Sequence, residues 1–385
     1  MRVAHVITRL IIGGAQENTL FNVEDQHHRH GDVVCLVTGP ATGPEGTLVD
    51  RAKQLQLDVR ILPELQRNLS PVKDIRAYVA VKRLLREYRP ELVHTHSSKA
   101  GIIGRRAAYA LGIPCVHSIH GASFHYGQPG SLYRAYRVAE RVADHWCQHF
   151  ITVCDAMTQQ YLDAGIGTPS KFTTIYSGMD VDRFLSPTES RTAVRARLGL
   201  AQDDIVAVKI ARLFNLKGHE YLISAAKQIA AVLPNVKFLL VGDGILRRDF
   251  ENRIAKLGLT DRFVFAGLVP PAEVTNYIHA ADLVAHTSVW EGLARVLPQG
   301  LIAGKPVVSF DVDGAREVCI DGETGLLVPA RNVESLADAM IRLASDARLR
   351  NRLGEEGRRR FTNQFRHEYM TECVRHVYRK ALGRR

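Results

Sequence analysis

Two doubly wound parallel α/β sheets, one in each half of the chain, are what this sequence predicts, and three observations carry that expectation. At 385 residues the chain exceeds the size at which a single core usually stops growing, so two domains come first to mind. Short apolar runs bounded by Gly or Pro alternate with amphipathic segments from end to end, the pattern of parallel sheets covered by helices. That pattern restarts after a polar, glycine-bearing segment at 176–184 with no clear period, and the hinge is placed there.

In the first half the predicted strands are 2–7, 32–37, 58–61, 92–95, 115–119 and 149–153, with helices between them. In the second half they are 205–210, 236–241, 263–265, 283–286, 306–310 and 326–328. The domains are expected at 1–178 and 179–365, with a helix at about 366–385 packing back on the first. Open parallel sheets bind ligands beyond the carboxyl ends of their strands. Two such sheets facing each other make a cleft, so function is sought in the loops after Ile7, Thr95, Ile119, Ile210, Val241, Phe265 and His286.

The 46% hydrophobic and 24% charged composition is ordinary for a soluble enzyme, and no stretch reaches the ~18 apolar residues that a membrane helix needs. Arg9 interrupts the first apolar run and Gly13-Gly14 follow directly, which reads as a strand and loop and not as a signal peptide. Six cysteines show no C-x-x-C spacing and no matching zinc pair, the usage of reduced, packed thiols in a cytoplasm. The net charge of +11 gathers in 347–385, where twelve Lys or Arg meet four Asp or Glu. A solvated helix face and a contact with anionic membrane are the two readings of that tail, and no nucleic-acid-binding motif adds a third.

Several loops carry chemistry. Gly13-Gly14-Ala15-Gln16 joins a strand to a helix whose N-terminus can meet a phosphate. Gly242-Asp243-Gly244 imitates a dinucleotide fingerprint, but its third glycine is Arg247. His94 and His96 point to one face of a strand, where metal binding, hydrogen-bonded core histidines and substrate contact are all weighed; no third ligand is near in the sequence. Ser97 and Ser98 then open a helix with hydroxyl caps. His120 ends a strand and precedes Gly121. Arg212 and Lys217 follow another strand and bracket four residues before Gly218, two fixed cations able to hold a diphosphate leaving group. Glu291 precedes a helix expected to begin near Ala294 or Arg295, with Pro298 in its first turn.

These pieces, with Ser177-Gly178-Met179-Asp180, Ala303-Gly304-Lys305-Pro306 and Gly325-Leu326-Leu327-Val328-Pro329, together resemble the retaining glycosyltransferases of family 4. The resemblance covers nearly the whole chain and implies the GT-B fold, two Rossmann-like domains facing across a cleft. It implies that Arg212 and Lys217 bind the donor diphosphate, that Gly14 approaches it, and that Glu291 holds donor-sugar hydroxyls. Amides at Gly292, Leu293, Ala294, Arg295 and Val296 assist, and His120 lies beside the sugar. Gly242 and Arg247 complete the expected donor set; Gln16, His96, Ser98 and Lys99 form the expected acceptor set. Neither a metal nor another cofactor is expected. One departure stands at Gln299, where the family usually carries a second glutamate that accepts from both ribose hydroxyls. An amide accepts one such bond and donates another, a loss of about 1 kcal/mol against a charged acceptor.

The function expected is transfer of a hexosyl or N-acetylhexosaminyl unit, with retention, from a nucleotide diphosphate sugar, UDP-linked, to a glycan or lipid-linked acceptor in surface polysaccharide synthesis. The run from His94 to Gly101, with His120 to His125, resembles bacterial members of that kind. The place expected is the cytoplasm, peripheral at the inner face of its membrane, with no nucleic-acid partner. Two rivals are a nucleotide-sugar 2-epimerase of the same shape and a non-catalytic sugar-nucleotide binding protein, to which Gln299 lends some weight.

Overall fold

The computed structural model describes residues 1–42, 46–68, 70–125 and 127–384. Among them the chain divides into two compact units, one of residues 1–179 with 364–385 and one of residues 180–363.

The first unit is built on seven parallel strands: β1 (Arg2–Arg9), β2 (Val33–Gly39), β3 (Asp58–Ile61), β4 (Leu92–His96), β5 (Cys115–Ile119), β6 (His149–Thr152) and β7 (Phe172–Thr174), in the order β3-β2-β1-β4-β5-β6-β7. The short β7 is absent from the sequence-based expectation. It has three residues, two of them threonine, and is held by its pairing with β6. Central strands are buried on both faces, hence their near-continuous apolar runs. Side chains alternate across the sheet. Ala4 and Val6 join Val93 in the core under the helices Pro71–Tyr88 and Ser98–Tyr109. Val3 meets Val374, Val377 and Tyr378 on the other face.

That second face is closed by the helices Gly14–His28 and His367–Ala381. The latter is fastened by polar contacts: Thr371 Oγ1 donates to Asp25 at 3.0 Å, His367 Nδ1 lies 2.8 Å from the same carboxylate, and Arg375 pairs with Asp32 at 2.9 Å. Burial alone would lower the His367 imidazole, but Asp25 overrides it and the net direction is upward. On the opposite face, Arg105 and Glu140 form an ion pair at 2.7 Å with both side chains out of solvent.

The second unit repeats the scheme with β8 (Ile205–Ile210), β9 (Val236–Val241), β10 (Phe263–Gly267), β11 (Leu283–His286), β12 (Val307–Phe310) and β13 (Gly325–Val328), ordered β10-β9-β8-β11-β12-β13. In each unit the strand order reverses once, between β1 and β4 and between β8 and β11. The loops leaving those strand ends are where open sheets take ligands.

The six cysteines carry no disulfide and five are buried. No described helix is long and apolar enough to cross a membrane. The basic tail is shared between the two units, and most of its described cations are engaged. Arg359 and Arg360 pair with Glu356, Arg358 donates to the carbonyls of Ile302 and Ala303, and Arg384 meets Glu91 at 2.6 Å. Arg385 lies outside the described residues.

Candidate functional site

In the second unit the switch point is assembled from loops that lock one another. The loop after β8 carries Arg212 and Lys217, and the loop after β11 carries Glu291. Gly218 sits at φ +66°, and a Cβ there would fall 1.8 Å from the Thr287 carbonyl oxygen, so only glycine lets the two loops touch. Thr287 Oγ1 donates to Gly218 O at 2.7 Å, and Val289 N–H donates to Leu216 O at 2.9 Å. Lys217 Nζ then donates to Glu291 Oε1. Burial alone would raise the Glu291 carboxyl, yet the Lys217 ammonium, aided by His286, holds it below the ordinary glutamate range. Asp313, in the loop after β12, accepts the Glu291 N–H at 2.7 Å and fixes the backbone of that residue. Burial raises the Asp313 carboxyl.

Arg212 is exposed and stacks 5.0 Å from the Phe214 ring centroid. Its loop is held by the glycines of the dinucleotide-like motif. A Cβ at Gly242 would lie 2.2 Å from Ala211 O, and one at Gly244 2.5 Å from Leu213 O. Their glycine requirement is therefore a packing one. Arg247 is balanced by Glu251 at 2.9 Å and Asp243 at 3.5 Å. The helix Val296–Ile302 begins one residue beyond the expected start, with Arg295 capping it and Pro298 in its first turn. Gly292 O accepts from Gly314 N–H at 3.0 Å, and Leu293, Ala294 and half-buried Gln299 complete the segment.

Beneath these loops Lys209 is buried, with Nζ 2.9 Å from Thr287 Oγ1. Burial, reinforced by the Lys217 charge, brings its ammonium down from 10.5 to about 7. Between those values the unfolded chain holds the proton that the folded chain has released, so stability rises with pH through that window. Lys209→Met is expected to raise the melting temperature by several degrees at pH 6 and by much less near pH 10; an equal gain at both would contradict this.

In the first unit, Gln16, Ser98 and Lys99 line one cavity of about 460 Å³ with Arg9, Arg67 and Tyr136. Lys99 pairs with Asp74 at 2.5 Å. The expected Ser97 cap is not made: Ser97 is left-handed at φ +62°, and its Oγ lies 2.8 Å from Thr8 Oγ1. Gly14 opens its helix, Gly13 preceding it in an extended conformation.

His96 is a correction to the expected acceptor set. It is fully buried, with His5 at 3.0 Å on one ring nitrogen and His120 at 3.1 Å on the other. Out of solvent, it stands behind His120, which is half-buried at the end of β5. His94 is buried too, bonded to Tyr378 Oη at 2.5 Å and Ser118 Oγ at 2.8 Å. The third imidazole that the sequence did not supply is His5, whose register partner on β4 is His94. Ligand atoms of His5, His94 and His96 come within 4.8 Å of one another, a spacing that a metal ion could use. Every ring nitrogen of the three already has a hydrogen-bond partner, so the group is arranged as a polar network. His5 lay hidden in an apolar run, and its one signal was that it shares the strand-face parity of Val3 and Ile7. Lys209, Thr287 and Asp313 were likewise not read from the sequence.

Two family descriptions match the chain: "Glycosyl transferase 4-like domain" over residues 14–178 and "Glycosyl transferases group 1" over residues 190–360. The alpha-D-kanosaminyltransferase of Streptomyces kanamyceticus is 30% identical over 71% of this chain and 73% of its own length. The chain belongs to the group 1, family 4-like glycosyltransferases. This glycosyltransferase is also 26% identical, over 98% of its length and 96% of the relative's, to the UDP-Gal:alpha-D-GlcNAc-diphosphoundecaprenol alpha-1,3-galactosyltransferase of Escherichia coli. Its fold matches the crystal structure of Anabaena Alr3699/HepE in complex with UDP and glucose, with a TM-score of 0.84 at 22% identity over 98% of this chain and 99% of that one. The fold of the enzyme is GT-B.

Proposed function

We propose that this glycosyltransferase moves a hexosyl or N-acetylhexosaminyl unit from a UDP-sugar to a lipid-linked or glycan acceptor in surface polysaccharide synthesis, with retention at the anomeric carbon. The observation that carries the donor half is the Lys217–Glu291 pair at the β8/β11 switch point, with Lys217 on the loop that also carries Arg212. A diphosphate arriving there meets two cations on a loop fixed by Gly218, and Glu291 stays ionised to accept from sugar hydroxyls. His120 takes a further sugar hydroxyl. The relatives lend their chemistry: one is named for a UDP-sugar donor and a diphosphoundecaprenol-linked acceptor. The cavity bearing Arg9, Arg67 and Lys99 suits an acceptor with an anionic head.

Arg212 and Lys217 supply the positive charge that a departing diphosphate needs, so transfer is proposed to require no metal; turnover unchanged by a chelator supports this. NMR of the product formed from UDP-sugar and a lipid-linked acceptor is the test of the whole reading. An α product from an α donor is expected, and an inverted product sinks retention. An epimer formed from donor alone would favour the epimerase, while binding without turnover would favour a non-catalytic protein.

Membrane contact is proposed to lie on the helix Pro71–Tyr88 instead of the tail. Val72, Ile75 and Val79 are between 58% and 65% exposed there, with Lys73, Arg76, Arg83 and Arg86 also exposed on the same helix. Apolar side chains beside basic ones suit an anionic bilayer surface. Replacing Ile75 and Val79 with aspartate is expected to cut co-sedimentation with anionic vesicles severalfold, while reversing Arg359 and Arg360 leaves it unchanged. The opposite pattern would return the contact to the tail.

A further inference from the structure

The first unit contains a line of side chains that runs from its interior to His120. Gln26 Oε1 lies 3.2 Å from His5 Nε2, His5 Nδ1 lies 3.0 Å from His96 Nε2, and His96 Nδ1 lies 3.1 Å from His120 Nε2. The rings stack almost parallel, at 9° for His5 with His96 and 21° for His96 with His120. Gln26, His5 and His96 are wholly buried.

A neutral imidazole has one N–H and one acceptor nitrogen, so each bond in such a line sets the next. The inner end decides the direction. The Gln26 side-chain oxygen can only accept. Its amide nitrogen is turned away, donating to Asn22 Oδ1 and, at 3.2 Å, to Tyr378 Oη. The other neighbour of His5 Nε2 is that same Tyr378 hydroxyl, farther away at 3.5 Å. The nearer group facing His5 Nε2 is the Gln26 oxygen, which can only accept, so the proton of His5 sits on Nε2. His5 Nδ1 must then accept from His96 Nε2–H, and His96 Nδ1 from His120 Nε2–H.

We propose that Gln26, His5 and His96 are positioning residues that hold His120 as the Nε2–H tautomer, so that its Nδ1 can only accept, and so that it selects a donor-sugar hydroxyl. The last clause rests on the functional reading above; the tautomer does not. Burial drives the His5 imidazole down to about 4 and that of His96 well below its ordinary value, which keeps both rings neutral as the line requires. Gln26 has no site for a proton, so the line ends there. It fixes a tautomer and drains no proton from His120.

Selective ¹⁵N-histidine labelling of the deuterated enzyme tests this through the two-bond couplings of the ring nitrogens, with His120 assigned by its loss in His120→Phe. The expected spectrum shows His120 protonated at Nε2 with a bare Nδ1. A wild-type enzyme with its proton on Nδ1 overturns the proposal without any variant having to fold. In His5→Leu, His96 loses its acceptor and His120 should populate both tautomers, with kcat/KM down about tenfold, on the order of 1.4 kcal/mol. His96→Asn, which keeps an oxygen facing His120, should retain the wild-type tautomer and most of the activity. An unchanged His120 spectrum in His5→Leu would also overturn the proposal. If the tautomers behave as expected but His120→Phe transfers sugar at the wild-type rate, the sugar contact is lost and the tautomer assignment stands.

Discussion

Lys217→Ala is expected to lower kcat/KM by about a hundredfold or more, the scale on which a positioned charge stabilises a transition state. Two effects combine in it. The departing diphosphate loses a cation held on a rigid loop, as it would in Arg212→Ala. Glu291 also loses the ammonium that offsets its burial, so its carboxyl rises toward and above the ordinary range. The two substitutions should therefore differ in pH dependence. Lys217→Ala shifts the acid limb of the rate profile to higher pH, whereas Arg212→Ala lowers the plateau and leaves the limb in place. Superimposable profiles for the two variants would show that the Lys217–Glu291 contact has no part in setting the charge of Glu291.

Glu140→Leu should produce the largest loss of stability. Arg105 is fully buried, and its carboxylate partner lies 2.7 Å away on a neighbouring helix. Removing one member of such a pair leaves an uncompensated charge in the interior, at a cost of about 3–5 kcal/mol. For a unit of this size that corresponds to a fall in melting temperature on the order of 10 °C. The double variant Arg105→Met with Glu140→Leu replaces both by apolar groups of similar volume and is expected to recover most of the loss. A double variant as unstable as the single one would mean that packing, and not the charge, is what Glu140 contributes.

Most strands could be read from the sequence because parallel strands buried on both faces leave an unambiguous apolar run. The three residues of β7, two of them threonine, could not be so read. Helix Gly14–His28 illustrates a different limit. It buries Asn18, Thr19, Asn22, Asp25 and Gln26 along with Leu20, Phe21 and Val23, so its covered face is mixed and apolar periodicity reveals it poorly. The reason is the partner it covers, a sheet face carrying imidazoles and a helix carrying Tyr378 and Arg375. Of the residues proposed for the donor, Arg212, Lys217 and Glu291 were recognisable by their places after strands. That Lys217 and Glu291 pair, and that Asp313 pins the backbone of Glu291, depended on how three loops meet. The burial of His96 was not legible, because strand parity places it opposite Thr95 but does not say which side is open.

The helix His367–Ala381 belongs to the first unit yet follows the whole of the second in the sequence. Emerging from a ribosome, the amino-terminal sheet must wait for roughly two hundred further residues before Tyr378 and Arg375 arrive, at translation rates of about 5–20 residues per second. Through those seconds His5, His94 and Asp32 face water or a chaperone, while the second unit, one unbroken stretch of chain, has everything it needs to fold. Order of synthesis and order of completion are thus reversed: the part made first is finished last.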